Sequence, residues 1–228
     1  AAAVLHQIDK GKLSIKDTIK LTPELILEYK NLWSPLRKKY PKGGTVQIEE
    51  LLQYNVAWSD NVACDVLLDL IGGPEAVQDY IHGLGVKDIA IIDKEIVLQS
   101  DWSRQYLNWS TTNASNSLLQ ILFENKSILS ASSYEFLMST LKETSTGKGK
   151  IRGQLPKEVV VAHKTGSSGK NKDGLTGATN DIGIVFLPEN RYFYISIFVS
   201  DSKEDEETNQ KIMASIAKLA WDYFQSKE

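Results

Sequence analysis

The sequence predicts an α+β fold, in which an all-helical lobe packs against an antiparallel sheet flanked by helices. Two observations carry this prediction. Apolar residues recur at helical spacing through much of residues 1–150, and three β-branched and aromatic runs follow between residues 159 and 199. A final amphipathic helix ends the chain. Helices in one block and strands in another are typical of α+β proteins.

The composition is that of one domain with two lobes, and it excludes several classes of partner. With 228 residues, 42% of them hydrophobic, the chain can bury a sizeable core. We assign residues 1–150 to a mainly helical lobe, and residues 151–228 to the sheet strands and the last helix. The 26 basic and 29 acidic side chains give a net charge of −3, so neither nucleic acid nor an anionic membrane surface is the expected partner. No apolar run is long enough to span a bilayer.

Cysteine and histidine usage speaks against covalent or metal cross-links. Cys64 is the single cysteine, which excludes an internal disulfide. The three histidines have no cysteine cluster beside them, so the sequence contains no zinc-binding pattern. We therefore expect no metal ion and no other cofactor.

Capping and turn residues divide the helical part of the chain. Thr22-Pro23 is a capping residue followed by proline at the first helical position, and the aromatic, basic stretch after it ends at the turn 41–44. Thr45 is predicted to cap the next helix, and a helix with a buried apolar stripe follows Asn61. A capping box, Ser132-x-x-Glu135, is predicted to begin a later helix.

Residues 89–112 lack periodicity, and we predict an irregular loop there. A long irregular segment inside a compact domain usually has a function or is anchored by its own side chains. The strands that follow are predicted at residues 159–162, 182–187 and 192–199. The last helix is predicted from about residue 208 to 224, with a shared apolar face at Ile212, Ile216, Leu219 and Ala220.

The first residues of the chain have the composition of a helix interior. Residues 1–8 are helix-forming and apolar, and no capping residue precedes them. We therefore expect this chain to begin inside a helix whose first turns lie upstream.

Two short motifs, about a hundred residues apart, carry candidate functional groups. Ser59-Asp60-Asn61 stands between two predicted helices, where small polar residues are also common as plain helix caps. Lys164-Thr165-Gly166-Ser167 ends a predicted strand, where a solvated lysine and a glycine-assisted turn are the simpler interpretation. Either motif alone indicates little. Together, and in this order, they match two of the three signature motifs of the serine penicillin-recognising enzymes.

On these motifs the chain resembles the class A serine β-lactamases, most closely the PER-like extended-spectrum branch. The likeness covers nearly the whole chain and rests on residues 4–13, 59–65, 72–74, 162–166 and 178–181. It implies the β-lactamase/transpeptidase-like fold, with a substrate cleft between the helical lobe and the sheet. It also implies an N-terminal helix and two sheet strands that are absent from this chain.

The resemblance implies a role for each residue of the two motifs. Ser59 would pass a proton to the departing lactam nitrogen, and Lys164 would supply positive charge near Ser59 and the substrate carboxylate. Asn61 would bind the acylamino side chain of the drug. Thr165 and Ser167 would add hydroxyl groups, and the backbone N–H of Ser167 would form half of the oxyanion hole.

Three further residues receive a role by resemblance. Glu95 falls where the family has the base that activates the deacylating water; without the other motifs it would be assigned as a solvated loop carboxylate. Gln99 lies four residues on, so one helical turn would bring both side chains to the same water, although the family usually has asparagine there. Trp33 falls where the family often has an aromatic wall at the cleft mouth, with ordinary core or surface packing as the open alternative. Asp181 lies near the place of a carboxylate-binding arginine in many relatives, so that contact must come from elsewhere. The predicted substrate-binding set is Asn61, Thr165, Gly166, Ser167, Gln99 and Trp33.

The nucleophile motif Ser-x-x-Lys is expected just upstream of Ala1. Ser145-Thr146-Gly147-Lys148 and Ser167-Ser168-Gly169-Lys170 also satisfy the pattern, but both lie in glycine-bearing segments where serine and lysine would not share a helix face. Both also follow Ser59 in chain order. We therefore expect this chain to be a portion of a longer active protein and to be nearly inert by itself.

The sequence thus predicts a periplasmic, monomeric serine β-lactamase that confers antibiotic resistance. It would hydrolyse penicillins and cephalosporins by serine acylation and water-driven deacylation, with the β-lactam and the catalytic water as its partners. Two alternatives stay open. One is a penicillin-binding D-alanyl-D-alanine peptidase, which lacks the deacylating glutamate; the other is a non-catalytic β-lactam-binding or sensor domain.

Overall fold

The computed structural model describes residues 1–227. Within them the α-helices are α1 (Ala2–Asp9), α2 (Pro23–Glu28), α3 (Pro35–Lys39), α4 (Ile48–Ala57), α5 (Asn61–Leu70), α6 (Gly73–Gly83), α7 (Glu95–Ser100), α8 (Thr112–Glu124), α9 (Ala131–Lys142) and α10 (Glu206–Gln225). The strands are β1 (Thr18–Leu21), β2 (Gly44–Gln47), β3 (Ile89–Ala90), β4 (Trp109–Ser110), β5 (Val161–Ser167), β6 (Thr176–Phe186) and β7 (Tyr192–Ser202). Short 3₁₀ helices lie at Trp102–Leu107 and Ile151–Gln154. None of the helices in this part of the chain combines the length and apolar character that a membrane span requires.

The core of the helical part lies between α1, α4 and α5. Leu5 of α1, Leu51 and Leu52 of α4, and Val62 of α5 are fully buried in one cluster. Burying an aliphatic side chain of this size contributes roughly 1.5–3 kcal/mol. The stripe predicted for the helix after Asn61 is therefore confirmed, and it fixes the start of α5 against the core.

The three predicted strands form one antiparallel sheet in the order β5–β6–β7. The register places Lys164 opposite Ile182 and Gly166 opposite Asn180. The predicted runs are confirmed, although β5 continues to Ser167 and β6 begins earlier than predicted. Lys164 therefore lies within a hydrogen-bonded strand and not after it, which restrains its backbone.

The sheet is covered on both faces. Val161 and Val185 pack with Met213 of α10, whereas Ala162 and Ile184 belong to the core of the helical part. Successive residues of a strand face opposite sides, so one face of the sheet carries α10 and the other meets the helices. This is the predicted α+β fold.

Two predicted helix starts are wrong. Thr45 lies in β2, which pairs with β1, and α4 begins only at Ile48. The capping box at Ser132 is displaced by two residues, since the N-cap of α9 is Ser130. The reason is a distant contact: Asp9 at the end of α1 accepts hydrogen bonds from the Ser130 backbone and hydroxyl at 2.7 and 2.6 Å.

Three of the four residues predicted for the apolar face of α10 are wrong. Ile212, Ile216 and Leu219 are exposed, Leu219 by 71%, whereas Ala220 is partly buried against the core beneath α10. The face that packs on the sheet carries a different set: Asn209, Met213, Ala214, Ala217 and Trp221.

The segment from residue 89 to 112 is closed at its base by side chains. The amide oxygen of Asn108 accepts the N–H groups of Ile92 and Asp93 at 2.8 and 2.9 Å, and its amide nitrogen donates to the Asp93 carbonyl at 2.9 Å. Arg104 donates two hydrogen bonds to the Asp93 carboxylate, at 2.8 and 2.7 Å. The predicted irregular loop is therefore an anchored one, with the short helix α7 held inside it.

Candidate active site

The Ser59-Asp60-Asn61 turn is held in a strained conformation by a buried carboxylate. Ser59 has a φ of 52°, in the left-handed region that non-glycine residues seldom occupy. Asp60 is fully buried and caps α5 by accepting the Ala63 N–H at 2.9 Å. The same carboxylate accepts the Ser34 hydroxyl and, at 2.7 Å, the Leu36 N–H. Desolvation raises the pKa of Asp60 above its ordinary value although these hydrogen bonds oppose the rise. Asp60 thus fixes Ser59 and the segment after Trp33 together.

Lys164 reaches across from the sheet to this turn. Its ammonium donates a hydrogen bond to the Ser59 hydroxyl at 2.6 Å and another to the Thr165 carbonyl at 2.7 Å. Burial lowers the pKa of Lys164, and the negative charge that Glu95 carries when ionised acts in the opposite direction. The two sequence motifs therefore meet at a cation–hydroxyl contact, a geometry in which Ser59 can hand on a proton.

The strand that carries Lys164 is fastened along its edge by the segment before it. Thr146 and Thr165 share a hydrogen bond between their hydroxyls at 2.7 Å. The buried Lys150 donates to the carbonyls of Gly166 and Asn180 at 2.8 and 3.0 Å. Desolvation lowers the pKa of Lys150. Thr165 and Gly166 are thus held from outside the cleft, and Lys150 is a residue that sequence reasoning missed.

Beneath the same strand lies a buried pair. His163 Nδ1 lies 3.0 Å from the Asp181 carboxylate, which also accepts the Ile151 N–H at 3.2 Å. Both His163 and Asp181 are fully buried. Asp181 therefore faces the interior of the protein and belongs to the support of the strand.

Glu95 begins α7, and its backbone is held by a second buried carboxylate. Asp65 on α5 accepts the N–H groups of Glu95 and Ile96 at 2.8 and 2.9 Å, and the hydroxyl of Tyr29 at 2.8 Å. Burial raises the pKa of Glu95, the negative charge of Asp65 raises it further, and the positive charge of Lys164 lowers it. The carboxyl of Glu95 is therefore a stronger base than an exposed one, and it is close enough to Lys164 for their charges to interact.

The other predicted substrate-binding residues surround a cavity of about 570 Å³ between the helical part and the sheet. Trp33, Asn61, Gln99 and Ser167 all line it, together with Trp102 from the 3₁₀ helix after α7. Trp33 is 54% exposed, and its indole N–H donates to the Trp58 carbonyl at 3.0 Å. The exposure of Trp33 excludes core packing, and its position at the rim of the cavity fits both a cleft wall and surface packing.

Glu95 lines a different cavity from Gln99. It borders a space of about 210 Å³ with Ala1 and Cys64. Gln99 follows it by one turn of α7 and is exposed towards the larger cleft. The structure thus places the two side chains on separate cavities, although they lie one turn apart on α7.

The Ser-x-x-Lys matches at Ser145 and Ser167 are not built as nucleophiles. Ser145 donates its hydroxyl to the Ala57 carbonyl at 3.0 Å, and Lys148 is exposed. Ser167 and Lys170 are both exposed on the loop side of β5.

The single cysteine is not an activated nucleophile either. Burial raises the pKa of the Cys64 thiol to about 12, so Cys64 is a neutral thiol at neutral pH.

Two missed residues left a signal in the sequence. Asp65 lies three residues after Val62 on the apolar stripe of α5, and a carboxylate on a buried stripe requires partners. Asn108 ends the irregular loop, and asparagine often closes a loop through its amide. The Arg104–Asp93 pair left no such signal, since charged residues are ordinary in loops.

Comparison with known proteins places these features in a family. The model of the beta-lactamase enzyme family matches residues 1–224. Beta-lactamase VEB-1 of Pseudomonas aeruginosa is 45% identical over 228 residues, which are 100% of this chain and 75% of that protein. Extended-spectrum beta-lactamase PER-1 of Pseudomonas aeruginosa is 42% identical over 224 residues, or 98% of this chain and 71% of that protein. The crystal structure of a class A beta-lactamase from Bacteroides cellulosilyticus superposes with a TM-score of 0.94 at 37% identity, over 99% of this chain and 80% of that one.

Proposed function

Because the chain belongs to the beta-lactamase enzyme family and resembles its class A members, we propose that it is the major part of an enzyme that hydrolyses β-lactam antibiotics. The observation that carries the proposal is the 2.6 Å contact between Lys164 and Ser59, two residues that lie 105 positions apart. Acylation of a serine and hydrolysis of the acyl-enzyme by water are the two steps of the proposed reaction.

In acylation, the serine oxygen attacks the lactam carbonyl carbon and the C–N bond of the ring breaks. Ser59 gives its hydroxyl proton to the ring nitrogen, and the proton lost by the attacking serine replaces it, so no net proton is consumed. The Lys164 ammonium, donating to the Ser59 oxygen, supports this transfer and attracts the substrate carboxylate. The Ser167 N–H would stabilise the developing oxyanion.

In deacylation, Glu95 takes a proton from a water molecule whose oxygen attacks the acyl carbon. The ester C–O bond breaks, and the proton returns to the serine oxygen. A base works best when its pKa approaches the operating pH, and the raised pKa of Glu95 moves it in that direction. The amide of Gln99, one turn along α7, would orient the water.

The attacking serine is proposed to belong to a Ser-x-x-Lys segment upstream of Ala1. Ala1 lines both the cavity that contains Glu95 and a second, apolar cavity of about 240 Å³ that Lys164 borders. A helix that continues α1 backwards by a turn or two would run between these groups, at about 1.5 Å per residue. We further propose that the protein is periplasmic and confers resistance, and that its two lobes divide near residue 150.

Turnover by the full-length protein tests the proposal. Steady hydrolysis of a chromogenic cephalosporin, with an acyl-enzyme seen by intact mass, is the expected result. A single stoichiometric burst would identify a penicillin-binding peptidase instead. Absence of any covalent adduct with a slowly hydrolysed β-lactam would identify a non-catalytic binding domain.

A further inference from the structure

The cleft has a second tryptophan wall, contributed by the loop that carries Glu95. Trp102 and Trp33 line the same cavity of about 570 Å³, with Asn61 and Leu98 also on its lining. Resting on the proposed function, we propose that Trp102 determines specificity: it packs against an aromatic or heteroaromatic ring on the acylamino substituent of the β-lactam. The substrate class is thus the β-lactams with a ring-bearing side chain.

The two indoles belong to different parts of the fold. Trp33 precedes α3 and is fixed by its hydrogen bond to the Trp58 carbonyl. Trp102 begins the 3₁₀ helix that follows α7, so it is carried by the loop on the other side. Asn61 would bind the amide of the acylamino group, and a ring attached to that amide would extend into the space that both indoles border.

Trp102 is held in position before any ligand arrives. The ring of Tyr106 packs edge-on against it, with centroids 5.5 Å apart and an interplanar angle of 83°. Tyr106 in turn donates its hydroxyl to Asp201 of β7. Because both residues are restrained, little side-chain entropy is lost when a substrate ring packs on Trp102.

A second contact fixes the backbone of Trp102. The Gln105 side-chain amide donates to the Trp102 carbonyl at 2.9 Å. Gln105 also packs on Gly177 of β6 so closely that a Cβ there would lie 2.7 Å from its amide oxygen. The wall of the cleft at Trp102 is thereby tied to the sheet at two points, Asp201 and Gly177.

The test compares two cephalosporins that differ only in the acyl group, a thienylacetamido and an acetamido derivative of the same nucleus. In the full-length enzyme we expect Trp102→Ala to lower kcat/KM for the thienylacetamido compound about 2- to 12-fold, the range of one aromatic contact, and to leave the acetamido compound within about 2-fold. Because kcat/KM reports binding and acylation, a disturbance of Glu95 would appear in kcat instead.

Two further variants complete the experiment. Trp109→Ala removes an indole that is 50% exposed at the end of the same loop, outside the cleft lining, and is expected to leave both substrates unchanged. Tyr106→Phe breaks the tie to Asp201 and is expected to give a smaller loss, again for the ring-bearing substrate only. An equal loss for both substrates in Trp102→Ala, or no loss for either, overturns the assignment. Failure of the unmodified enzyme to turn over either compound would instead reject the proposed function.

Discussion

The carboxylate of Asp65 accepts the backbone N–H of Glu95 at 2.8 Å, across an interval of 30 residues. Asp65 is buried on α5, and its second oxygen accepts the next backbone N–H of α7. One carboxylate thus positions the other. Burial raises the pKa of Glu95, and the negative charge of Asp65 raises it further. This arrangement makes the protonation of Glu95 depend on a residue that would not touch the substrate.

Asp65→Asn is expected to shift the acid limb of the kcat profile to lower pH. The proposed base Glu95 can act only when ionised, and removing the neighbouring negative charge lowers its pKa, so activity persists further into acid. The measurement is kcat against pH with a chromogenic cephalosporin. Tyr29→Phe, which removes one partner of Asp65 and keeps its charge, should leave the limb in place. A shift of the Asp65→Asn limb to higher pH would contradict the assignment of Glu95.

Glu95→Ala is expected to trap the acyl-enzyme. Without the base, deacylation should slow by about 10²–10⁴ while acylation continues, and intact mass spectrometry would record the adduct. Glu75→Ala, at an exposed position on α6, is the matched control and should turn over normally. Unimpaired deacylation in Glu95→Ala would show that another carboxylate is the base.

Arg104→Gln is expected to loosen the loop around Glu95. It leaves the carboxylate of Asp93, a side chain only 8% exposed, without its two charged hydrogen bonds, which should lower the free energy of unfolding. We expect kcat to fall more than kcat/KM, because the proposed base of deacylation, Glu95, lies in this loop. Thermal unfolding and single-turnover kinetics measure the two effects. Arg104→Lys keeps the positive charge and should retain part of the stability and part of the kcat that Arg104→Gln loses. Identical behaviour of the two variants would contradict a role of the ion pair with Asp93.

Asp9→Asn is expected to destabilise the protein at neutral pH and to matter less in acid. Desolvation acts to raise the pKa of Asp9, but the hydrogen bonds from Ser130 and Ser133 outweigh it, so the folded-state pKa is lowered. A lowered folded pKa stabilises the protein above the unfolded-state pKa, and that contribution is lost as pH falls through the folded value. Urea unfolding at about pH 7 and at about pH 2.5, below the unfolded-state pKa of about 3.9, should show the stability difference between the unmodified protein and Asp9→Asn narrowing. Asp79→Asn, on the exposed side of α6, is the control. A constant difference would refute the linkage.

Local sequence patterns correctly predicted those helix starts in which the capping residue and its hydrogen-bond partner are close in sequence. Thr22 caps α2 by accepting the Leu25 N–H, as Thr22-Pro23 predicted. Thr45 failed because pairing with β1 overrode its capping tendency, and Ser132 failed because Asp9 selects Ser130. In each failure a contact between distant segments decided the outcome, which no local pattern contains.

In the candidate site, too, local motifs could be predicted from the sequence and contacts between distant segments could not. The motifs named Ser59 and Lys164, and the structure brings them into contact. Asp65 left a sequence signal as a carboxylate on a buried stripe, but its partners and those of Lys150 could not be predicted, because they are backbone groups whose positions only the fold determines. The residue types of a motif indicate which chemical groups a site can contain, whereas the contacts that hold these groups in place depend on the tertiary structure.

The hydrogen bonds that Thr146 and Lys150 make to β5 have a consequence for substitutions in this protein. At Gly147, whose φ is +63°, an added Cβ would lie 2.5 Å from the methyl group of Thr165. Replacement there would displace Thr165 on the strand that carries Lys164, from a position outside the lining of the cleft cavity. A substitution at Gly147 can therefore reshape the strand beside the candidate site without changing any residue that lines the cleft cavity.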